Sequence, residues 1–241
     1  MKRISLIIPS YNESEDIERK INVLKDYIKE NLHDEEYFIV PVNDGSKDNT
    51  GEVIKSIEGI YPVSYEPNHG KGYAVKEGIK YSFNELNVDY AIFMDADLST
   101  DLKAIKECVT LLEEGTPFVA GSRYSKDSVI KVKQPLKRRF ISKCSRIIIS
   151  SMFHFKIKET QCGFKGVNKE LGLLLVDKAK MERFSFDVEY FYIAKLNNYK
   201  YVTFPVVWSD DKGSTVTAFR TSVKFFKDLF KIKKNKKSYI K

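Results

Sequence analysis

The chain has 241 residues, 31% of them charged and 13% aromatic, with 41 basic side chains against 33 acidic ones. That length allows one large domain or two small ones with a real core, and the composition excludes a disordered or collagen-like chain. The net charge of +8 is concentrated: from Arg220 onward nine basic residues face one acid, Asp228, which leaves the first 219 residues neutral.

The first half alternates strand-like and helix-like segments. Residues 4–8 form a short apolar run stopped by Pro9, and Ile17, Ile21, Leu24 and Ile28 then recur at helical spacing. Residues 37–42 are a second strand-like run, ended by the turn Asn43-Asp44-Gly45-Ser46. A helix over about 49–57, a short strand over 63–65 and a helix over about 72–87 follow. Residues 90–94 read as a buried strand. Leu102, Ile105, Val109 and Leu112 mark the next helix, with Ser99 or Thr100 as its cap, and 118–120 is a fifth strand. Such alternation predicts an α/β fold, a mainly parallel sheet with helices on both faces. Ligands of such sheets bind beyond the carboxyl ends of the strands.

The second half is less regular. Seven basic residues and no acid lie between Lys131 and Arg146, with Leu136, Phe140, Ile147 and Met152 among them at roughly helical spacing. In the tail, Val223, Phe226, Leu229 and Phe230 share one helix face, and Lys224, Lys227, Lys231 and Lys234 share the other. That pattern suits a helix lying in a membrane interface; it also suits a helix docked on the core with solvated lysines. The expected division is a domain over 1–219 and a basic amphipathic tail over 220–241.

No apolar run approaches the roughly 18–20 residues of a bilayer span, and Met1-Lys2-Arg3 leads straight into a strand, unlike a signal peptide. Cys108, Cys144 and Cys162 have no C-x-x-C spacing, which points to a reducing compartment rather than a disulfide framework or a zinc site. His33, His69 and His154 lie far apart in the sequence.

The sharpest chemical signal is Asp95-Ala96-Asp97, directly after the strand over 90–94. Two carboxylates in that position suit Mg2+ or Mn2+, with a substrate diphosphate completing the shell; they would also favour the dipole of the following helix. Tyr11 in Pro9–Glu13 and Asp44 in Asn43–Ser46 offer a flat face and a carboxylate for a nucleotide base, although N-D-G-S is also ordinary turn chemistry. Asn68-His69-Gly70-Lys71-Gly72 precedes a helix and offers glycines, a lysine and free N–H groups to a phosphate, without the spacing of a Walker loop or a dinucleotide fingerprint. Arg123, after Gly121-Ser122, stands where it would face the cleft and fork onto a phosphate. Cys162 reads as a small buried residue.

These motifs, together with Thr160-Gln161-Cys162-Gly163-Phe164-Lys165, Phe184–Glu189 and Pro205–Trp208 through Gly213-Ser214, stand in the order seen in the family 2 glycosyltransferases of GT-A fold. The second half resembles the dolichyl-phosphate glucosyltransferase branch. The resemblance implies an inverting transferase with a nucleotide-sugar donor: Pro9, Tyr11, Glu13, Asp44 and Ser46 around base and ribose, Lys71 near the phosphates, and Asp95 and Asp97 holding the metal and diphosphate. Arg123, Arg138, Arg139 and Ser214 would meet the acceptor phosphate. Glu159 and Thr215 depart from the branch, which has Asp and Lys there, and the membrane-spanning segment of its eukaryotic members is absent from this chain. Asp187 stands where hydroxyl-using relatives place a general base, and as a buried carboxylate at a helix start it has a structural reading too.

The expected enzyme is therefore a metal-dependent hexosyltransferase on the cytoplasmic membrane face. It would move a sugar, with glucose from UDP-glucose first, onto a polyprenyl phosphate, and residues 220–241 would meet an anionic membrane surface. A hydroxyl acceptor in glycolipid or polysaccharide synthesis, and a non-catalytic anion-binding module, are the alternatives. No nucleic-acid partner is expected, because the tail's aromatics share an apolar face instead of standing out for bases.

Overall fold

In a computed structural model the described residues are 1–132, 136–209 and 218–241, with backbone alone for 136–138 and 218–223. In chain order the elements are β1 (Arg3–Ser10), α1 (Ile17–Asn31), β2 (Glu36–Asp44), α2 (Thr50–Ser56), β3 (Val63–Tyr65), α3 (Lys71–Asn84), β4 (Tyr90–Phe93), α4 (Ala104–Glu113), β5 (Phe118–Ser122), β6 (Val129–Ile130), α5 (Leu136–Phe153), β7 (Lys165–Asn168), α6 (Lys169–Lys178), α7 (Phe186–Leu196), β8 (Tyr201–Pro205), β9 (Val207–Trp208) and α8 (Ala218–Lys234). A 3-10 helix over Asn235–Tyr239 closes the chain.

Seven strands form one sheet in the order β3-β2-β1-β4-β7-β5-β8. Every described pairing is parallel except those of β7, which runs antiparallel between β4 and β5. The sheet is buried on both faces, so its strands read as near-continuous apolar runs. Alternation divides them: Ile7, Val40 and Phe93 face the core under α3, α6 and α7, while Leu6, Ile8 and Ile92 face the core under α1 and α4. The expected parallel framework is present, and the insertion of β7 is its main addition. Gly166 makes that insertion possible, since a Cβ there would lie 2.5 Å from the Cys108 Sγ and 2.9 Å from Leu112.

Two local expectations are corrected. The helix α4 starts at Ala104, and neither Ser99 nor Thr100 caps it. Asp101 turns the chain instead, its side chain accepting from the Lys103 N–H, and Ser99 Oγ accepts from Trp208 Nε1 at 3.1 Å. In the tail, Phe225, Leu229 and Ile232 recur at i, i+4 and i+7 and are buried against the core, while Phe230 is exposed. The apolar face expected to meet a membrane is thus partly spent on packing. Tyr239 Oη donates to Glu189, and Ser185 Oγ donates to Asp228, tying the tail to α7. The tail lysines 224, 227, 231 and 234 remain exposed at the surface. Val223 lies outside the described side chains. Among the described residues no helix is long and apolar enough to cross a membrane.

Candidate active site

The carboxyl ends of β1, β2 and β4 open into one cleft of about 710 Å³. It is lined by the loop Pro9–Glu13, by Asp44, Asn68, Gly70 and Lys71, by Asp95–Asp97, and by Arg183 and Phe184 at its rim. The cleft thus gathers the sequence-predicted donor residues, with Ser46 close behind, its Oγ accepting from the Asn12 N–H. Tyr11 is 41% exposed, a flat face open to a ligand, and Glu13 is bonded to the buried Lys20 at 3.0 Å.

Asp44 plays another part than the one expected. Its carboxylate accepts from Tyr65 Oη at 3.0 Å, Asn68 Nδ2 at 2.7 Å, His69 N at 2.9 Å and Gly70 N at 2.8 Å. A carboxylate has about four lone-pair sites, so these bonds fill it. Asp44 fixes the glycine loop in place, and a nucleotide N–H would have to displace one of them. Gly45 allows the close approach: it sits at φ +59°, and a Cβ would lie 2.5 Å from the Asn68 nitrogen.

Beyond β4 the charges alternate. Lys71 Nζ donates to Asp95 Oδ1, and Lys165 Nζ donates to Asp187 Oδ1 at 2.6 Å and to the Cys162 carbonyl. Burial works against the Asp95 carboxylate, yet the charge of Lys71 holds its pKa below the usual range. Asp97 is pushed up, by burial first and by the charge of Asp95 second, and its Oδ1 accepts only the Ser99 N–H among the described residues. Asp187 is also pushed up by burial, against the pull of Lys165.

Among the described residues Asp97 is in no ion pair, while Asp95 is paired with Lys71. No group of three or more metal-ligating side chains occurs among the described residues. Two carboxylates facing a cleft nonetheless fit Mg2+ or Mn2+, which usually take one or two carboxylates and fill the remaining positions with substrate phosphate and water.

Gly163, Glu159, Lys165 and Arg183 were not picked out from the sequence as site residues. A Cβ on Gly163 would fall 1.9 Å from Asp95 Oδ2, so only glycine lets the Cys162–Phe164 turn pass the carboxylate. Lys165 is fully buried, which a lysine inside the apolar run 164–167 signals, since such a charge needs a partner.

Arg123 is placed differently from expectation. Its Nε and Nη2 donate to Glu159 Oε1, its backbone N–H donates to Oε2 at 2.7 Å, and its guanidinium lies 5.1 Å from the Trp208 ring. Glu159 is 2% exposed, so the pair forms a buried strut beside the cleft and not a free fork. Cys162 is buried as expected, its thiol pushed up to about 11 by burial. Arg139 is exposed on α5; the Arg138 side chain and Ser214 lie outside the described residues.

The profile described as glycosyl transferase family 2 matches residues 5–172, most of the chain and the whole carboxylate-bearing half of the sheet. The chain belongs to glycosyl transferase family 2. Among curated relatives, the dolichyl-phosphate beta-glucosyltransferase of Dictyostelium discoideum is 30% identical over 95% of this chain and 73% of its own length. The enzyme of the same name from Saccharomyces cerevisiae is 30% identical, covering 94% of this chain and 72% of its own. Glucosyl-3-phosphoglycerate synthase from Mycobacterium tuberculosis, solved with Mn2+, UDP and glucosyl-3-phosphoglycerate, superposes with a TM-score of 0.70. It is 14% identical and covers 98% of this chain and 80% of that one. The fold of this family 2 glycosyltransferase is thus the GT-A fold, and the protein is an enzyme of glycosyl transfer.

Proposed function

We propose that this glycosyltransferase moves glucose from UDP-glucose onto a polyprenyl phosphate with inversion at the anomeric carbon. The observation that carries the choice of acceptor is the Lys165–Asp187 pair. Asp187, the general-base candidate read from the sequence, is 7% exposed and bonded at 2.6 Å to a fully buried lysine. A hydroxyl acceptor needs a base to take its proton. A lipid phosphate monoester, with a second pKa near ~6, is already ionised at pH 7 and needs none. The printed names of the curated relatives support the same acceptor class.

In this reading the Tyr11 face and the Pro9–Glu13 loop receive the nucleotide. Lys71 and the N–H groups that begin α3 face the diphosphate, since a helix start favours anions. Asp95 and Asp97 would hold Mg2+ or Mn2+, which supplies charge neutralisation for the departing diphosphate. That the M. tuberculosis structure contains Mn2+ and UDP supports this assignment. Gly163 and Lys71 fix the Asp95 carboxylate, and the Arg123–Glu159 strut holds the wall on which Trp208 packs. Arg138, Arg139 and Ser214 are proposed to meet the acceptor phosphate, and Arg183 the rim of the donor site. The phosphate oxygen displaces the diphosphate in a single step, which inverts the sugar carbon.

The enzyme would act as a peripheral protein on the cytoplasmic face, with the domain over 1–219 followed by the tail over 220–241. The three free cysteines fit a reducing compartment, and the tail lysines fit an anionic surface. Asp187→Asn tests the acceptor. The carboxamide removes a base but keeps the shape, so a phosphate-using enzyme should keep measurable turnover with polyprenyl phosphate. A loss of several orders of magnitude in kcat, with the fold intact, would favour a hydroxyl acceptor.

A further inference from the structure

The helix α5 has three faces, and only one is used by the core. Ile149 and Phe153 point inward and are buried. Opposite them Phe140, Ile141, Ile147 and Ile148 stand in solvent, Phe140 69% and Ile147 59% exposed. They recur at i, i+1, i+7 and i+8, one outward stripe of the helix. Between these faces runs a basic row, Arg139, Lys143 and Arg146, at i, i+4 and i+7.

Beside that row lies an open groove of about 640 Å³, which shares no lining residue with the donor cleft. Lys143, Arg146, Lys156 and Lys158 supply its charge, Ile147, Phe155 and Ile157 its apolar wall, and no acid lines it. Among the described residues none of the four cations is in an ion pair. The Arg146 guanidinium lies 3.3 Å above the Tyr124 ring, and its Nη1 is buried without a hydrogen-bond partner. A buried donor left open is unfavourable unless something accepts from it. Glu159, which lines a small cavity together with Arg146, is already taken by Arg123.

We propose that this groove binds the phosphate head of an anionic phospholipid, and that α5 is the element that seats the enzyme on the lipid surface. Charge complementarity selects a phosphate, and the fork of Arg146 suits its oxygens. The continuity of the apolar stripe selects a lipid over a free anion. Ile147 belongs both to the groove and to the outward face, so a headgroup in the groove puts its acyl chains along Phe140, Ile141 and Ile148. The groove serves as a docking site, since its lining shares no residue with the donor cleft, where the sugar nucleotide is proposed to bind. The assignment rests on the lipid-acceptor reading only for its purpose; the binding stands or falls by itself.

The test is sedimentation of the full chain with phosphatidylcholine vesicles, with and without phosphatidylglycerol. Wild type should pellet with the phosphatidylglycerol vesicles. Lys143→Glu with Lys156→Glu, both exposed and free of packing duties, should weaken that by roughly tenfold or more. Arg146→Gln should weaken it as well, and Phe140→Ser with Ile147→Ser should lower partitioning at equal surface charge. Unchanged UDP affinity by calorimetry shows that each variant is folded. Four results would overturn the proposal: equal pelleting of the Lys143/Lys156 variant and wild type, pelleting that ignores phosphatidylglycerol, loss of pelleting only on reversing the α8 lysines, or binding of inorganic phosphate at the groove with no vesicle binding. None of these touches turnover with a short-chain acceptor, so failure here and failure of the proposed reaction are told apart.

Discussion

Adding one methyl group at Gly163 should disable the enzyme while leaving it folded. The new Cβ would lie 1.9 Å from Asp95 Oδ2 and 2.5 Å from Oδ1, where ordinary contact begins at 3.4 Å. About 1.5 Å must therefore open between the two. Asp95 is the movable partner, but moving it breaks its bond to Lys71 and takes it out of line with Asp97. A displacement of about 1 Å in a positioning group can cost on the order of 100-fold in rate, whereas overpacking costs about 1–3 kcal/mol of stability. Gly163→Ala is thus expected to lower kcat for UDP release by about 100-fold or more, with a modest fall in Tm. In an Asp95→Ala background the clash disappears, so Gly163→Ala should cost almost nothing further in either rate or stability, a strong non-additivity. Wild-type turnover in Gly163→Ala, or strictly additive losses in the double variant, would refute the argument.

Lys165→Met leaves Asp187 buried and unpaired, and chemical denaturation should show a loss of about 3–5 kcal/mol; Lys165→Met with Asp187→Leu should recover much of it. Native protein at pH 8 should show one thiol reactive to iodoacetamide by mass spectrometry, the half-buried Cys144, and three after unfolding, because burial keeps Cys108 and Cys162 protonated. With those two pKa values raised on folding, their contribution to stability is intact below the unfolded thiol value and is lost as the pH rises through about 11 for Cys162. Asp48 gives the opposite slope at acid pH. Burial is the largest single influence and pushes its carboxyl up, but the hydrogen bonds from Thr50 and Ser14 together outweigh it and hold it at about 2. Its stabilising effect is present above the unfolded value near 4 and fades as the pH falls toward 2. Denaturation curves of wild type and Asp48→Asn should therefore converge as the pH drops through that window.

The donor side of the site was legible in the sequence because it is built from strand ends. A short apolar run followed at once by Pro9–Glu13, by Asn43–Ser46 or by Asp95–Asp97 puts polar residues at the carboxyl edge of a parallel sheet, whatever the details. What the strand pattern does not encode is which partner each polar group finds. Asp44 was read as open to a base, yet Asn68, His69 and Gly70, more than twenty residues on, saturate it. Arg123 was read as open to a phosphate, yet Glu159 returns across α5 to claim it. Both partners are distant in sequence, so spacing alone is silent about them. The antiparallel β7 was hidden for a similar reason: Lys165–Asn168 is short, contains a lysine and a glycine, and owes its place to neighbours on both sides. The tail pattern was real, but an amphipathic helix has the same signature whether its apolar face meets a core or a lipid. Phe225, Leu229 and Ile232 chose the core, while α5, whose pattern is weaker, keeps its stripe in solvent.

The most direct test of the proposed reaction is glucose transfer from radiolabelled UDP-glucose to a short-chain polyprenyl phosphate in the presence of Mn2+. The account predicts label in the lipid fraction as a glycosyl phosphate, dependent on the lipid phosphate, abolished in Asp97→Asn and retained in part in Asp187→Asn. Label that passes to a hydroxyl acceptor and ignores the lipid phosphate would contradict it, as would transfer that is indifferent to Asp97.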